Sequence, residues 1–228
     1  MSTLVTGVTL DSFDQLPTHT RRCRFWVLDP KAENSSSDAL DLEFENEAWL
    51  SMIMLEWGSC GQLLSSGGRT LGCALYSPPG VVPRSTSFPT SPVSADAVLL
   101  TTLRIESELD REGHSASLIQ AVVADLVNRG VRALEAFGIR RTAEDDRVGP
   151  KATADLTCSD TTCMIDADFL EKVGFDVVAP HHRYPRLRLE LDRDHGWKED
   201  VESALEQLLI AASLTMVEIE HKDPVGVG

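Results

Sequence analysis

The stretch Asp110 to Ser117, DREGHSAS, has the residue types that an anion site needs. Gly113, Ser115, Ala116 and Ser117 are small enough to let a phosphate reach the backbone, and they stand just before the apolar period of Leu118, Val122, Leu126 and Val127. A helix starting there presents N–H groups without intrahelical partners and about half a positive charge. Phosphates bind readily at such ends. An ordinary helix start with a serine cap fits the same residues. The run Gly113-His114-Ser115-Ala116-Ser117 also imitates the Gly-x-Ser-x-Gly nucleophile elbow of a serine hydrolase. It lacks the final glycine, however, and ESELDREG separates it from the preceding strand.

Cys158 and Cys163, with His181 and His182 downstream, offer zinc-type donors. The Cys-x-x-x-x-Cys spacing is at the loose end of ligand patterns, and adjacent histidines do not easily turn to one ion, so no metal is predicted. The histidine pair could instead handle a proton, because imidazole titrates near neutrality.

The elements that must position the anion turn are legible on either side of it. ADAVLLTTLRI (95–105) reads as a buried strand, ESELDREGHSAS as a turn, LIQAVVADLVNRG (118–130) as a helix and VRALEAF (131–137) as a second strand. Upstream, residues before Thr20 are polar and turn-rich, and CRFWVLD (23–29) reads as a first strand. Trp49, Met52, Ile53 and Trp57 mark one face of a helix over Glu45 to Trp57, and GQLLSSGGRTLGCALY is a hairpin around two glycines. The Pro- and Ser-rich stretch between Ser77 and Ala95 should cross the surface, and the irregular segment 140–163 is a long loop. HGWKEDVESALEQLLIAASL adds a terminal amphipathic helix, which covers the sheet or pairs with a second copy, and DPVGVG forms a tail.

In register, the segment from Ala95 to Gly138 resembles the acetyl-CoA-binding core of the GNAT acetyltransferase superfamily. There an apolar strand ends in Val or Ile, and eight positions later comes the first glycine of an Arg/Gln-x-x-Gly-x-Gly/Ala turn. Here Ile105 is followed eight positions later by Gly113, with Ser115 at the second small position and Leu118, Ile119 and Gly130 in the helix pattern. DADFLEKVGFDVV (166–178) is similar to the family's late helix with its terminal Gly-Phe, followed by a hairpin whose last strand would be YPRLRLEL. Two departures stand out: Asp110 occupies the place of the usual Arg or Gln, and Leu170 that of a tyrosine which in many members protonates the departing thiolate. The resemblance implies an α/β fold, a mixed twisted sheet with helices on both faces, with the C-terminal amphipathic helix added. One domain over 1–228 is expected, with residues 1–20 as an arm and 192–228 as the terminal helix and tail.

It also implies acetyl-CoA as cosubstrate and direct attack on its thioester by a primary amine of a small molecule or protein. Leu103, Arg104 and Ile105 would hold the pantetheine arm. Arg111, Glu112, Gly113, His114, Ser115, Ala116 and Ser117 would take the pyrophosphate, with Arg111 standing in for the missing cation. An amine needs a base to lose its proton. Glu56 and Asp96 are the carboxylate candidates, and Tyr184 is the candidate acid. The rival from the same fold is an acyl-CoA-binding module without catalysis.

At 228 residues and 42% hydrophobic content, the chain can bury a sizeable core as one domain. A net charge of −15 disfavours nucleic acid and favours a neutral or cationic partner. No apolar run reaches the ~18 residues that span a bilayer, and the N-terminus lacks the pattern of a signal peptide, which predicts a cytoplasmic protein. Five scattered cysteines suit a reducing compartment.

Overall fold

A computed structural model of the protein describes residues 3–28, 39–106, 111–142, 145 and 158–191. In chain order the elements are β1 (Thr3–Gly7), α1 (Thr18–Arg22), α2 (Ala39–Glu56), β2 (Gly61–Ser66), β3 (Arg69–Ser77), β4 (Ala97–Ile105), α3 (Arg111–Asn128) and β5 (Ala133–Ile139). A short α4 (Asp160–Cys163), β6 (Ile165–Asp166), α5 (Ala167–Lys172), β7 (Asp176–Ala179) and β8 (Arg186–Glu190) complete it. The strands form one sheet in the order β1-β2-β3-β4-β5-β8-β7, with β6 paired to β5. All pairings are antiparallel except β4 with β5 and β5 with β6. Among the described residues no helix is long and apolar enough to cross a membrane.

Period-two alternation divides the strand residues between two cores. Leu64, Ala74, Tyr76, Leu100, Leu134, Ala136 and Leu187 face α3 and α5, whereas Leu63, Cys73, Leu75, Leu99, Ala133 and Phe137 face the N-terminal segment and α2. α3 is held by Leu118, Ile119, Val122 and Leu126, all fully buried. Each such side chain contributes roughly 1.5–3 kcal/mol by leaving water. At the hairpin tip, Gly67 and Gly68 both adopt positive φ, 56° and 78°, as the two-glycine turn requires.

Several expectations need correction. Cys23–Leu28 forms no strand: Phe25 and Trp26 plug the core from an irregular turn, with Leu28 N–H donating to the Arg24 carbonyl. The first strand is instead β1, within the stretch read as a polar arm; as an edge strand it is mostly exposed, so its polarity hides it. Met52 is 40% exposed and lies off the buried stripe of α2, which consists of Leu50 and Ile53 with Trp49 and Trp57 half-buried. The segment after β3 makes two 3-10 turns and buries Val82, Ser85 and Val93, packing inward where a surface path was predicted. The predicted terminal helix and tail, 192–228, lie outside the described residues.

The β4–β5 ladder spans only Ala97↔Ala133, Val98↔Leu134 and Leu99↔Glu135. At this closed end sits Glu135, with no exposed surface, accepting from the Ser94 N–H at 3.2 Å and from Arg186 and, at 3.2 Å, Arg188. Arg188 also grips both carboxylate oxygens of Asp96, at 3.0 and 2.9 Å. One carboxylate thus clamps the start of β4 to β5 and β8. Burial by itself would raise the Glu135 carboxyl, but the bonds from Ser94 and Arg186 outweigh it and hold it below its ordinary value. A depressed carboxyl contributes stability that is present above its unfolded pKa and lost as pH falls through the folded one. Glu135→Ala should therefore cost about 3–5 kcal/mol in urea unfolding at pH 7, because the Arg186 guanidinium loses its carboxylate and Arg188 keeps only Asp96 and Glu190. The gap from wild type should narrow as the solution is acidified below about pH 4.

Candidate functional site

Beyond Leu99 the two parallel strands separate. β3 covers one edge of β4 out to Ile105, but from Leu100 to Ile105 no described strand pairs with the other. β8 and the turn before it occupy the outer edge of β5 as far as Arg140, whose N–H donates to the Arg183 carbonyl at 2.9 Å. β6 therefore takes the inner edge of β5 that β4 has left, through Gly138↔Ile165 and Ile139↔Asp166. The gap between that edge of β4 and β6 is a cleft of about 390 Å³. Thr102, Leu103, Arg104 and Ile105 form one wall and Ser115 of α3 adjoins it. Ile165, Asp166 and Phe169 stand opposite, and His19, Thr20 and Cys23 also line the cleft.

α3 begins at Arg111, seven residues before the predicted start. Gly113 to Ser117 are thus its first turns and not a loop, and the Ser117 hydroxyl donates to the Gly113 carbonyl at 2.9 Å. The N–H groups of the first turn have no α-helical partners, and the start of α3 adjoins the cleft through Ser115. Ser115 is 7% exposed and lines the cleft, Ala116 packs into the core, and the buried Nδ1 of His114 makes no hydrogen bond among the described residues. Asp110 and the side chains of Arg111 and Glu112 lie outside the described residues. A serine within a helix cannot serve as a nucleophile elbow, which needs a strained strand-to-helix turn, so the hydrolase reading fails here.

Despite the acidic chain, three cations line the cleft: Arg104, Arg141 and Lys172. Arg104 pairs with Glu106 at 2.7 Å, and Arg141 lies 3.6 Å from Asp166 while donating to the Thr161 carbonyl at 2.8 Å. Arg141, Asp166, Phe169 and Lys172 were not among the sequence candidates. Their distance along the chain from Gly113 leaves no local signal.

The three catalytic candidates do not meet. Glu56 ends α2 beside Trp57, over whose ring the Arg129 guanidinium sits at 3.7 Å. That is the far end of α3, about 25 Å from its start. Asp96 belongs to the clamp, about 20 Å along β4 from Thr102, and the bond from Arg188 holds its carboxyl below the ordinary value. Tyr184 donates to Asp160 Oδ2 at 2.6 Å and contacts Phe88 and His181 outside the cleft. Leu170 is fully buried in the core, so its position supplies no acid. Phe88 stacks on Phe137 at 4.4 Å, and no residue of the Pro-rich segment around it lines the cleft.

His181 and His182 do not face the cysteines. His181 Nδ1 accepts from the N–H groups of Arg183 and Tyr184 at 3.1 and 2.9 Å, closing the turn before β8. Cys158 and Cys163 instead meet His19 and Cys23, 135 or more residues away. Contacts with Cys163 and Cys23 draw the Cys158 thiol well below its ordinary value, and the contact with Cys158 raises Cys23.

No family model matches the chain, and no curated protein matches it in sequence. Solved structures resemble it. The PaiA N-acetyltransferase of Thermoplasma acidophilum, in complex with coenzyme A, superposes with a TM-score of 0.50 at 11% identity, over 83% of this chain and 99% of that one. YncA of Salmonella typhimurium, a putative acetyltransferase with acetyl-CoA, gives a TM-score of 0.49 at 11% identity, covering 85% of this chain and 96% of its own. A putative acetyltransferase of the GNAT family from Desulfovibrio desulfuricans gives 0.46 at 16% identity over 84% and 100%. The chain has the GNAT N-acetyltransferase fold, as the first of these superpositions shows.

The chain has two tyrosines, and burial pushes both phenols upward: Tyr76, which donates to Asp125 at 2.8 Å, and Tyr184, which donates to Asp160. Tyrosinate absorbance should therefore stay well below half of its full value at about pH 10, where free phenols are half ionised, and complete itself only with alkaline unfolding.

Proposed function

We propose that this chain is an acetyl-CoA-dependent N-acetyltransferase acting in the cytoplasm on a primary amine of a small molecule or protein. The observation that carries the proposal is the separation of β4 from β5, which leaves the edge of β4 beyond Leu99 with no partner strand among the described residues, beside the start of α3. Free N–H and C=O groups on such an edge bind an extended chain carrying amides. In this reading Leu103, Arg104 and Ile105 hold the pantetheine arm. The first turns of α3, Arg111 to Ser117, hold the pyrophosphate through backbone N–H groups, with Arg104, Arg141 and Lys172 supplying positive charge.

Acetyl-CoA supplies an activated acyl group; the protein's part is to hold the thioester carbonyl against the acceptor nitrogen, which removes most of the entropic barrier. The nitrogen attacks, the carbon–sulfur bond breaks, the ammonium proton leaves to a base and the thiolate gains a proton. None of Glu56, Asp96 and Tyr184 is among the residues that line the cleft. Two carboxylates among the described residues do line it, Asp166 and Asp168. Asp168 is 74% exposed and paired with Arg140 at 2.6 Å. Asp166 stands at the tip of β6 inside the gap, capping α5 through a 3.0 Å bond from the Phe169 N–H, and is the better-placed base.

The buried Leu170 favours one rival: the same cleft binding acyl-CoA without turnover. An assay of free thiol release from acetyl-CoA with a panel of primary amines separates the two. Transferase activity should appear with at least one amine, fall about 100-fold or more in Asp166→Asn, and change by less than about threefold in Glu56→Gln, Asp96→Asn and Tyr184→Phe. Full activity in Asp166→Asn would remove that residue from the mechanism, and binding without release under any amine would select the non-catalytic module.

A further inference from the structure

We propose that His19, Cys23, Cys158 and Cys163 form a structural zinc site that ties the N-terminal segment to the connection between β5 and β6. The four donor atoms all lie within 4.8 Å of one another. His19 Nε2 is 3.3 Å from Cys163 Sγ, and Cys23 Sγ is 3.6 Å from both Cys163 Sγ and Cys158 Sγ. A tetrahedral zinc ion with bonds of about 2.3 Å to sulfur and about 2.0–2.1 Å to nitrogen sets its ligands about 3.7 Å apart for two sulfurs and about 3.5 Å for sulfur and nitrogen. These three spacings come within about 0.2 Å of three of the six edges of that tetrahedron. They are also too long for a disulfide, whose sulfurs stand about 2.05 Å apart, and a bond from Cys23 to either partner would leave the third thiol unused.

The ligands come in two local pairs. His19 and Cys23, four residues apart, share one side of the α1 turn, and Cys158 and Cys163 bracket the start and end of α4. Three and four intervening residues fall within ordinary ligand spacing. A second layer fixes both pairs. Asn46 of α2, itself buried, donates to the Cys23 carbonyl at 3.1 Å and the Arg21 carbonyl at 2.8 Å. The Trp26 indole N–H donates to the Cys163 carbonyl at 3.3 Å, the Thr162 hydroxyl lies 3.5 Å from Cys163 Sγ, and the Arg24 N–H reaches the Cys158 sulfur. Such outer contacts orient the donors of a metal site before the ion arrives.

Three thiolates and one imidazole in a tetrahedron select zinc over the harder divalent ions. A complete set of four protein ligands leaves no position for water, so the ion is structural and not catalytic. The sulfurs enter as thiolates, their protons passing to solvent as zinc binds. Because His19, Cys23 and Cys163 also line the cleft, the ion would fix one of its walls. The site does not depend on acetyl transfer, since no ligand is assigned a role in that reaction.

The test is metal analysis of the full chain, purified under reducing conditions without chelator, followed by exchange of zinc for cobalt(II). One zinc per chain is expected, together with the thiolate-to-cobalt charge-transfer band and the strong visible absorption of a tetrahedral site. Cys158→Ser, at an exposed position, should lose the zinc on gel filtration and about a third of the charge-transfer intensity, whereas His182→Ala should keep both. If Cys158→Ser fails to fold, the wild-type charge-transfer intensity, which counts thiolates, decides alone. Wild-type protein that is metal-free and takes up no cobalt overturns the proposal. So does a cobalt spectrum unchanged in folded Cys158→Ser, or a disulfide linking two of these cysteines in protein purified without air.

Discussion

The fold depends on one buried carboxylate. Glu135 sits at the point where β4 and β5 part, and its bonds to Ser94, Arg186 and Arg188 hold the closed end together while the open end diverges. Two parallel strands whose ladder stops after three residue pairs would otherwise be free to zip further or to separate. Asp96 on Arg188 extends the same clamp to the first residues of β4. An ion pair this deep adds little net stability by itself. What it contributes here is a fixed origin for the divergence, so the width of the cleft follows from the strands' twist and from β6 on the vacated edge.

Everything the cleft offers follows from that divergence. Among the described residues no strand pairs with the inner edge of β4 beyond Leu99, the start of α3 adjoins the same cleft through Ser115, and the short β6 carries Asp166 into the gap. The surface of a strongly acidic chain thereby acquires a local concentration of cations at Arg104, Arg141 and Lys172, which is what a polyanionic ligand needs from a protein that would repel it elsewhere.

Legibility in the sequence tracked the range of the interaction. β4, β5, the hairpin and the late helix with Gly174 at φ 95° and buried Phe175 were readable, because period two, a two-glycine turn and a helix stop are local signals. Leu103 to Ile105 and Ser115, named through the register of the family resemblance, line the cleft. The start of α3 was misplaced because Arg111 to Ser117 is polar and small, and apolar periodicity reports only the buried face. Cys23 to Leu28 looked like a strand since its aromatic residues are buried, although they reach the core from a turn. The surroundings of two catalytic candidates were out of reach for a third reason. The fate of Asp96 is decided by Arg188 and that of Tyr184 by Asp160, partners that no pattern within a few residues can supply. Cys158 and Cys163 were noticed, but the nearer histidines were weighed as their partners in place of His19.

The most direct test of the account is calorimetric titration of the protein with acetyl-CoA, in parallel with Gly113→Trp, whose indole would crowd the first turn of α3. The account predicts micromolar binding by the wild type, weakened at least about 100-fold in the variant while its circular dichroism is unchanged. Absence of binding by the wild type, or equal binding by a folded Gly113→Trp, would contradict the assignment of the cleft.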